Sequence, residues 1–301
     1  MEFFADSFYR TMLGIALGAI VGSFLNVCAT RIPKGSSIVI PRSACPACKK
    51  PIGWADNIPI ISWILLRGVA RCCKFSIPIR YIFVEIFTSL FFGLLFFRLD
   101  NLNDWSFLVC GVIFVSFLVV VIAIDFETMT IPDRFSVGGA FIGLVLSFSF
   151  PSLHGYPVDP IFLERMSAFF TAVVGLLFSS SILYWIGAVA ERLMGKEALG
   201  QGDVKLLGFV GAFCGWQGGL FVIFGGALIG TLLLTPILIC KKFSSSENIK
   251  SNQDKVSWGT EVPFGPFLGI AALSYFLGLQ DLVEGWFEEI ISNFMTIFSV
   301  L

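Results

Sequence analysis

Glu85, Asp125 and Asp203 stand within or at the edges of long apolar runs. A carboxylate costs roughly 2.5–3.5 kcal/mol at the centre of a membrane helix on insertion scales, so each is a functional candidate. Asp125 closes one run in Ile124-Asp125-Phe126-Glu127, and Asp203 opens another in Gly200-Gln201-Gly202-Asp203-Val204-Lys205, 78 positions later. Two carboxylates held close cannot both ionise easily, so the pair retains a proton near neutral pH. Such a pair can hydrolyse a peptide. The ionised member takes a proton from water as it attacks the scissile carbonyl, and the protonated member stabilises the developing oxygen charge and then the leaving amine. Gly200 and Gly202 lack Cβ atoms and would let an extended substrate backbone approach Asp203. Each acid also has a structural reading. Asp203 and Asp133 could cap helices that begin beside them. Asp125 could mark a helix end, and Glu85 could pair with Arg80 or Arg31. The chain has one histidine, His154, expected on the opposite side and without a catalytic part, so a zinc protease built on two histidines is excluded.

A second cluster is made of thiols. Cys45-Pro-Ala-Cys48 is followed, after 23 intervening residues, by the vicinal pair Cys72-Cys73. Paired thiolates on tight turns suit tetrahedral zinc, and nearby lysines and arginines favour the thiolate form. Adjacent cysteines do not readily place both sulfurs on one tetrahedral ion. The spacing therefore leaves zinc, redox chemistry and unliganded thiols open. Cys28, Cys110, Cys214 and Cys240 lie in or at apolar runs and are expected to act as small hydrophobes.

The elements that must hold these groups are membrane helices. Hydrophobic residues make up 56% of the 301 residues and charged residues 14%, against about 25% charged in a typical soluble protein. Mean hydropathy is +0.87. Runs of roughly 17–25 apolar residues cross a bilayer. Eight spans are read at 12–29, 81–97, 105–124, 135–150, 168–190, 204–216, 220–240 and 264–279, of which the fourth and sixth are short and are expected to include flanking polar residues. The fold class is thus an all-α polytopic membrane protein of about eight transmembrane helices with a small zinc-ribbon-like loop domain. The domain reading is 1–29 first helix, 30–80 cysteine-containing loop, 81–280 membrane core and 281–301 amphipathic C-terminal helix. With eight spans, 17 of the 20 basic residues fall on one side. That side is expected to be cytoplasmic and to carry Asp125 and Asp203. The other side carries Asp100, Asp104, Asp159 and an acidic group from Asp281 to Glu289. Residues 243–252 read as a polar loop.

Taken together these residues resemble the prepilin peptidase family, the type IV leader peptidases, which are membrane aspartic peptidases of bacteria. Gly22-Ser23-Phe24-Leu25-Asn26-Val27 with Arg31-Ile32-Pro33 is similar to the family's opening motif. Cys45-Pro-Ala-Cys48, Ile52-Gly53-Trp54, Asn57-Ile58-Pro59, Ser62-Trp63 and Ile77-Pro78-Ile79-Arg80-Tyr81 with Glu85 resemble its loop. Asp125, Pro132-Asp133, the Gly200–Lys205 stretch and Pro263-Phe264-Gly265-Pro266-Phe267 complete the set. The resemblance implies that Asp125 and Asp203 are the catalytic pair, with Gly200, Gly202, Lys205 and Glu85 supporting substrate or backbone. It implies prepilin or pseudopilin substrates of type IV pili or type II secretion, cut after a glycine that ends a short basic leader. N-methylation of the new N-terminal residue by S-adenosylmethionine is implied as well, as is Zn2+ in the loop. The family shows Gly-x-Cys-x-x-Cys at the second thiol pair. Here Gly68-Val69-Ala70-Arg71-Cys72-Cys73 has Ala70 at the first cysteine position, so Cys73 matches and Cys72 does not. Either Cys72 substitutes from a shifted backbone or the site has three thiolates. The expected location is the bacterial inner membrane, with the lipid bilayer and pilins as partners, no nucleic acid and an open oligomeric state.

Three alternatives remain at this level. A peptidase without methylation is motivated by Ala70. A proton-coupled transporter would use Glu85, Asp125 and Asp203 as a relay, though the sequence shows no repeat halves. A membrane scaffold makes no use of the Gly200-Gln201-Gly202-Asp203 element.

Overall fold

The computed structural model describes residues 7–40, 43–99, 105–154, 160–196, 199–244 and 262–300. Asp100, Asp104, Asp159 and most of the expected polar loop at 243–252 lie outside those residues. The helices are α1 Ser7–Arg31, α2 Ile61–Leu65, α3 Arg80–Phe97, α4 Trp105–Thr128, α5 Asp133–Ser149, α6 Ile161–Met194, α7 Gln201–Ser244, α8 Gly265–Ser274 and α9 Gln280–Val300. A π-helical turn, Tyr275–Leu279, joins α8 to α9. Among the described residues the only β pairing is two isolated bridges, Ala44 with Pro51 and Val69 with Ser76, both in the loop between α1 and α3.

Close packing in an apolar medium needs small residues, because lipid offers no hydrophobic drive for helices to associate. α1 supplies them as Gly14, Gly18 and Gly22, one per turn on a single face. A Cβ on Gly18 would stand 2.6 Å from the Thr88 carbonyl oxygen, and one on Gly22 would stand 2.9 Å from the Glu85 Cα. The α1–α3 pair is thereby fixed at backbone contact.

α7 is not a single rod. Gly215 has φ 67 and ψ −174, a conformation open to glycine, and the chain reverses there. Residues 211 and 219 both pack on Ser179 of α6. Gly218 then faces Tyr275, and Gly230 faces Phe267. The second arm, 216–244, therefore runs back toward the end at which the first arm, 201–214, began. The expected sixth and seventh spans are these two arms, and the short loop expected between them reduces to one glycine. Among the described residues six helices qualify as spans by length and composition. The difference from eight has two sources: α7 counts once despite its reversal, and α5, with 17 residues and a length of about 26 Å, falls short of a bilayer core of about 30 Å.

α4 lies at the centre. Phe114, Val115, Leu118, Val121 and Ile124 are fully buried along it. The Phe114 ring lies 5.3 Å from that of Phe209, 4.9 Å from Phe213 and 4.8 Å from Phe276, centroid to centroid, which locks α4 to the first arm of α7 and to the π turn. α4 and that arm are antiparallel. The rise from Phe114 to Asp125 is about 16 Å, and from Phe213 back to Asp203 about 15 Å, so a phenylalanine cluster in mid-bundle sets the two aspartates at one level.

Candidate active site

Asp125 sits in the last turn of α4 and is buried. The helix ends three residues later. Met129 takes φ 51 and donates its N–H to the Asp125 carbonyl, and Pro132 forces the preceding residue out of helical geometry. Asp203 is the third residue of α7 and is also buried. Its N–H donates to the Gly200 carbonyl at 3.1 Å, and its Oδ2 would lie 3.3 Å from a Cβ on Gly200, so the carboxylate folds back over the helix start.

Two further residues close the site, and neither was assigned a role from sequence. Ile131 stands against Gly202, where a Cβ would come within 3.1 Å of its own Cβ, and against Gly265, where a Cβ would come within 3.2 Å of its Cδ1. Gly265, the first residue of α8, also abuts Asp125: a Cβ there would lie 2.6 Å from Oδ2. That Oδ2 has no hydrogen-bond partner among the described residues. The signal for Gly265 was its place between Phe264 and Pro266 at a helix start; for Ile131 there was none. The space beside Gly202, expected to admit substrate, is taken by Ile131, whereas Gly200 is exposed. A cleft of about 480 Å3 opens next to this wall, lined by Ile32, Pro33, Thr130, Ile131, Pro132, Asp133 and Arg134.

Other acids have structural partners. Asp133 is the first residue of α5, not its cap, which is Pro132. It pairs with Lys205 at 2.7 Å and so ties α5 to α7, and Lys205 faces that acid. Glu85 pairs with neither Arg80 nor Arg31. Arg80 is engaged by Glu127 of α4, and Arg31 donates to the Ser37 carbonyl. Glu85 instead accepts the backbone N–H of Ile60 at 2.7 Å. His154 donates from Nε2 to the Ala212 carbonyl at 2.9 Å, away from the aspartates.

The thiols converge. The Sγ atoms of Cys45, Cys48, Cys72 and Cys73 lie within 4.8 Å of one another. Cys45 to Cys73 is 3.5 Å, Cys48 to Cys72 is 3.2 Å and Cys72 to Cys73 is 3.8 Å. A tetrahedron with Zn–S of 2.3 Å has an edge of about 3.8 Å, so the donor set fits a metal. Vicinal cysteines, expected not to reach one ion readily, here bring both sulfurs into the cluster, and two matching turns explain how. In the first, Cys45 N–H donates to the Lys50 carbonyl and Lys49 N–H to the Cys45 carbonyl; in the second, Ala70 N–H donates to Phe75 and Lys74 N–H to Ala70. Lys49 and Lys74 share the same left-handed conformation, φ 60 and 57. Ala70 therefore occupies the place of Cys45, and Cys73 that of Cys48. Cys72, at the place of Ala47, carries the fourth sulfur inward. The Cys45 thiol is lowered to about 6, chiefly by the Cys48 backbone N–H, and Cys72 is pushed up to about 12, chiefly by hydrogen bonding to Cys48. Thiols so crowded ionise at one another's expense, a conflict that a divalent cation relieves.

Two family models match the chain: residues 16–99 fit the bacterial peptidase A24 N-terminal domain and residues 112–235 the type IV leader peptidase family. Three similar proteins each carry the name prepilin leader peptidase/N-methyltransferase. The one from Myxococcus xanthus is 36% identical over 72% of this chain and 61% of its own length. The one from Pectobacterium carotovorum is 34% identical over 87% of this chain and 90% of its own, and the one from Xanthomonas campestris 31% over 90% and 92%. No solved structure matches. The transporter alternative gains no support from these relatives, and Asp125 and Asp203 gather at one end of the bundle rather than at its middle.

Proposed function

The chain belongs to the type IV leader peptidase family, and from that premise we propose that it is a membrane aspartic endopeptidase acting through Asp125 and Asp203. Its substrates are type IV prepilins or pseudopilins, from which it removes the short basic leader after a glycine, and it then N-methylates the new terminus. The observation that supports the reading is that both buried aspartates stand at one end of the bundle, Asp125 against Gly265 and Asp203 next to Gly202, with Ile131 packed across both glycines.

Two carboxylates drawn into one site do not both ionise, so the pair works with one proton and titrates as a unit. The ionised member removes a proton from water as the oxygen attacks the carbonyl carbon. The protonated member donates to the developing oxyanion, and the proton passed to the pair reaches the leaving amine as the C–N bond breaks. The cleft beside Ile131 receives the extended leader, and exposed Gly200 admits its backbone next to Asp203. The protein lies in the bacterial inner membrane, with this end facing the cytoplasm, where the basic residues gather.

Cys45, Cys48, Cys72 and Cys73 would hold Zn2+, which closes a loop domain too small to fold on its own core. The cleft beside Ile131 has no aromatic side chain on which the adenine of S-adenosylmethionine would stack, so its lining does not fit that group. Cleavage of a co-expressed prepilin by membranes carrying wild type, Asp125→Ala or Asp203→Ala tests the reading. Both variants insert and leave the leader in place; processing by either one overturns it. Mass spectrometry of the processed N-terminus decides between the bifunctional enzyme and a peptidase alone, which Ala70 first suggested: a terminus lacking the added methyl group removes the second activity.

A further inference from the structure

The short helix α2 has two unlike faces. Trp63 turns inward, where its ring packs 2.9 Å from the position of a Cβ on Gly68. Ile61, Ile64 and Leu65, at i, i+3 and i+4, share the other face and are 55%, 58% and 76% exposed. Trp54, just before it, is 85% exposed. An apolar face of this kind on a soluble loop calls for a partner.

The level of α2 identifies that partner. Its N-terminal flank is pinned by the Ile60 N–H to the Glu85 carboxylate, at 2.7 Å, and Ile60 holds φ 62, a costly conformation for a β-branched residue. Glu85 is the sixth residue of α3, about 7.5 Å along the axis from its start. α2 is thus hung at the second turn of a spanning helix whose Phe83, Ile86 and Phe87 are themselves outward and exposed. Charge agrees with depth. Residues 30–80 hold nine basic side chains and one acid, Asp56, which is taken by Arg71 at 2.9 Å. Arg67 follows two residues after Leu65 and is exposed.

We propose that α2 is an interfacial anchor: Ile61, Ile64 and Leu65 enter the leaflet on the side of the loop, the surrounding lysines and arginines engage anionic phospholipid headgroups, and the Ile60–Glu85 hydrogen bond sets the depth. Five residues do not make a stable helix alone, so the pin and the lipid together hold it. The loop domain then lies on the membrane beside the aspartates, rather than free in solution.

The full-length protein with p-benzoylphenylalanine at position 65, reconstituted in vesicles of phosphatidylethanolamine and phosphatidylglycerol, tests this by photocrosslinking and intact mass. Phospholipid adducts are expected at position 65 and at least threefold fewer at position 63, on the inward face of the same helix, with phosphatidylglycerol over-represented at least threefold against its mole fraction. Adducts to a second copy, to an added prepilin, or none at all would overturn the anchor, and adducts blind to headgroup would overturn its anionic preference. Glu85→Gln, whose amide oxygen still accepts from Ile60, keeps the lipid adducts, whereas Glu85→Ala lowers them severalfold. Unchanged adducts in Glu85→Ala would remove the pin from the proposal.

Discussion

Gly265 faces Asp125 so closely that a methyl group on the glycine would stand 2.6 Å from the carboxylate Oδ2. The start of α8 is therefore a wall of the site. Gly265→Ala must push back either the carboxylate or Ile131, and the expected result is a loss of prepilin cleavage of at least tenfold with normal membrane insertion. Gly278→Ala, with nothing within 4 Å of the added carbon, serves as the control and retains activity. Equal activity of the two variants would refute a tight fit around Asp125.

The two aspartates should fail as a unit. Asp125→Asn and Asp203→Asn are each expected to lower the cleavage rate by roughly 10^3-fold or more, and the double variant to be little worse than either, because groups acting in one step are not additive. Single-turnover cleavage of a prepilin peptide in detergent measures all three. Additive losses would indicate separate roles.

The pair Lys205–Asp133 joins two helices but is largely solvent-exposed, at 41% and 65%. Exposed ion pairs contribute about 0–1 kcal/mol. Lys205→Met is expected to lower thermal stability only slightly and cleavage by no more than about fivefold, the factor that such an energy corresponds to. A loss as large as that of Asp203→Asn would make Lys205 part of the chemistry instead.

The matching turns around Cys45 and Ala70 give a sharp expectation for metal content. Wild type should carry one zinc per chain by elemental analysis, and Cys72→Ala should lose it to a mild chelator. Ala70→Cys combined with Cys72→Ala should restore retention, because the sulfur returns to the place equivalent to Cys45. Retention by the Cys72→Ala single variant would show that three thiolates suffice.

Much of this was legible in the chain itself. Apolar run length and the one-sided distribution of basic residues gave the spans, and the cost of burying acids in lipid marked Asp125 and Asp203. Glu85 was marked by the same rule, yet it serves a backbone N–H twenty-five residues away, because hydropathy cannot say which loop folds back against a helix. The thiol site was half legible. The repeated Cys-Lys-x-x-Ile in Cys48–Ile52 and Cys73–Ile77 carried the symmetry, while the vicinal spacing concealed it.

Composition and periodicity determined that the molecule is a bundle of membrane helices, and which residues are too costly to be there by chance. They do so because transfer into lipid acts residue by residue. Only the tertiary structure decided that Gly215 turns a helix back on itself, that Phe114 sets α4 antiparallel to the first arm of α7, and that Ile131 and Gly265 enclose the acids. Those outcomes depend on contacts between segments far apart in the chain, where the shape of one surface selects another.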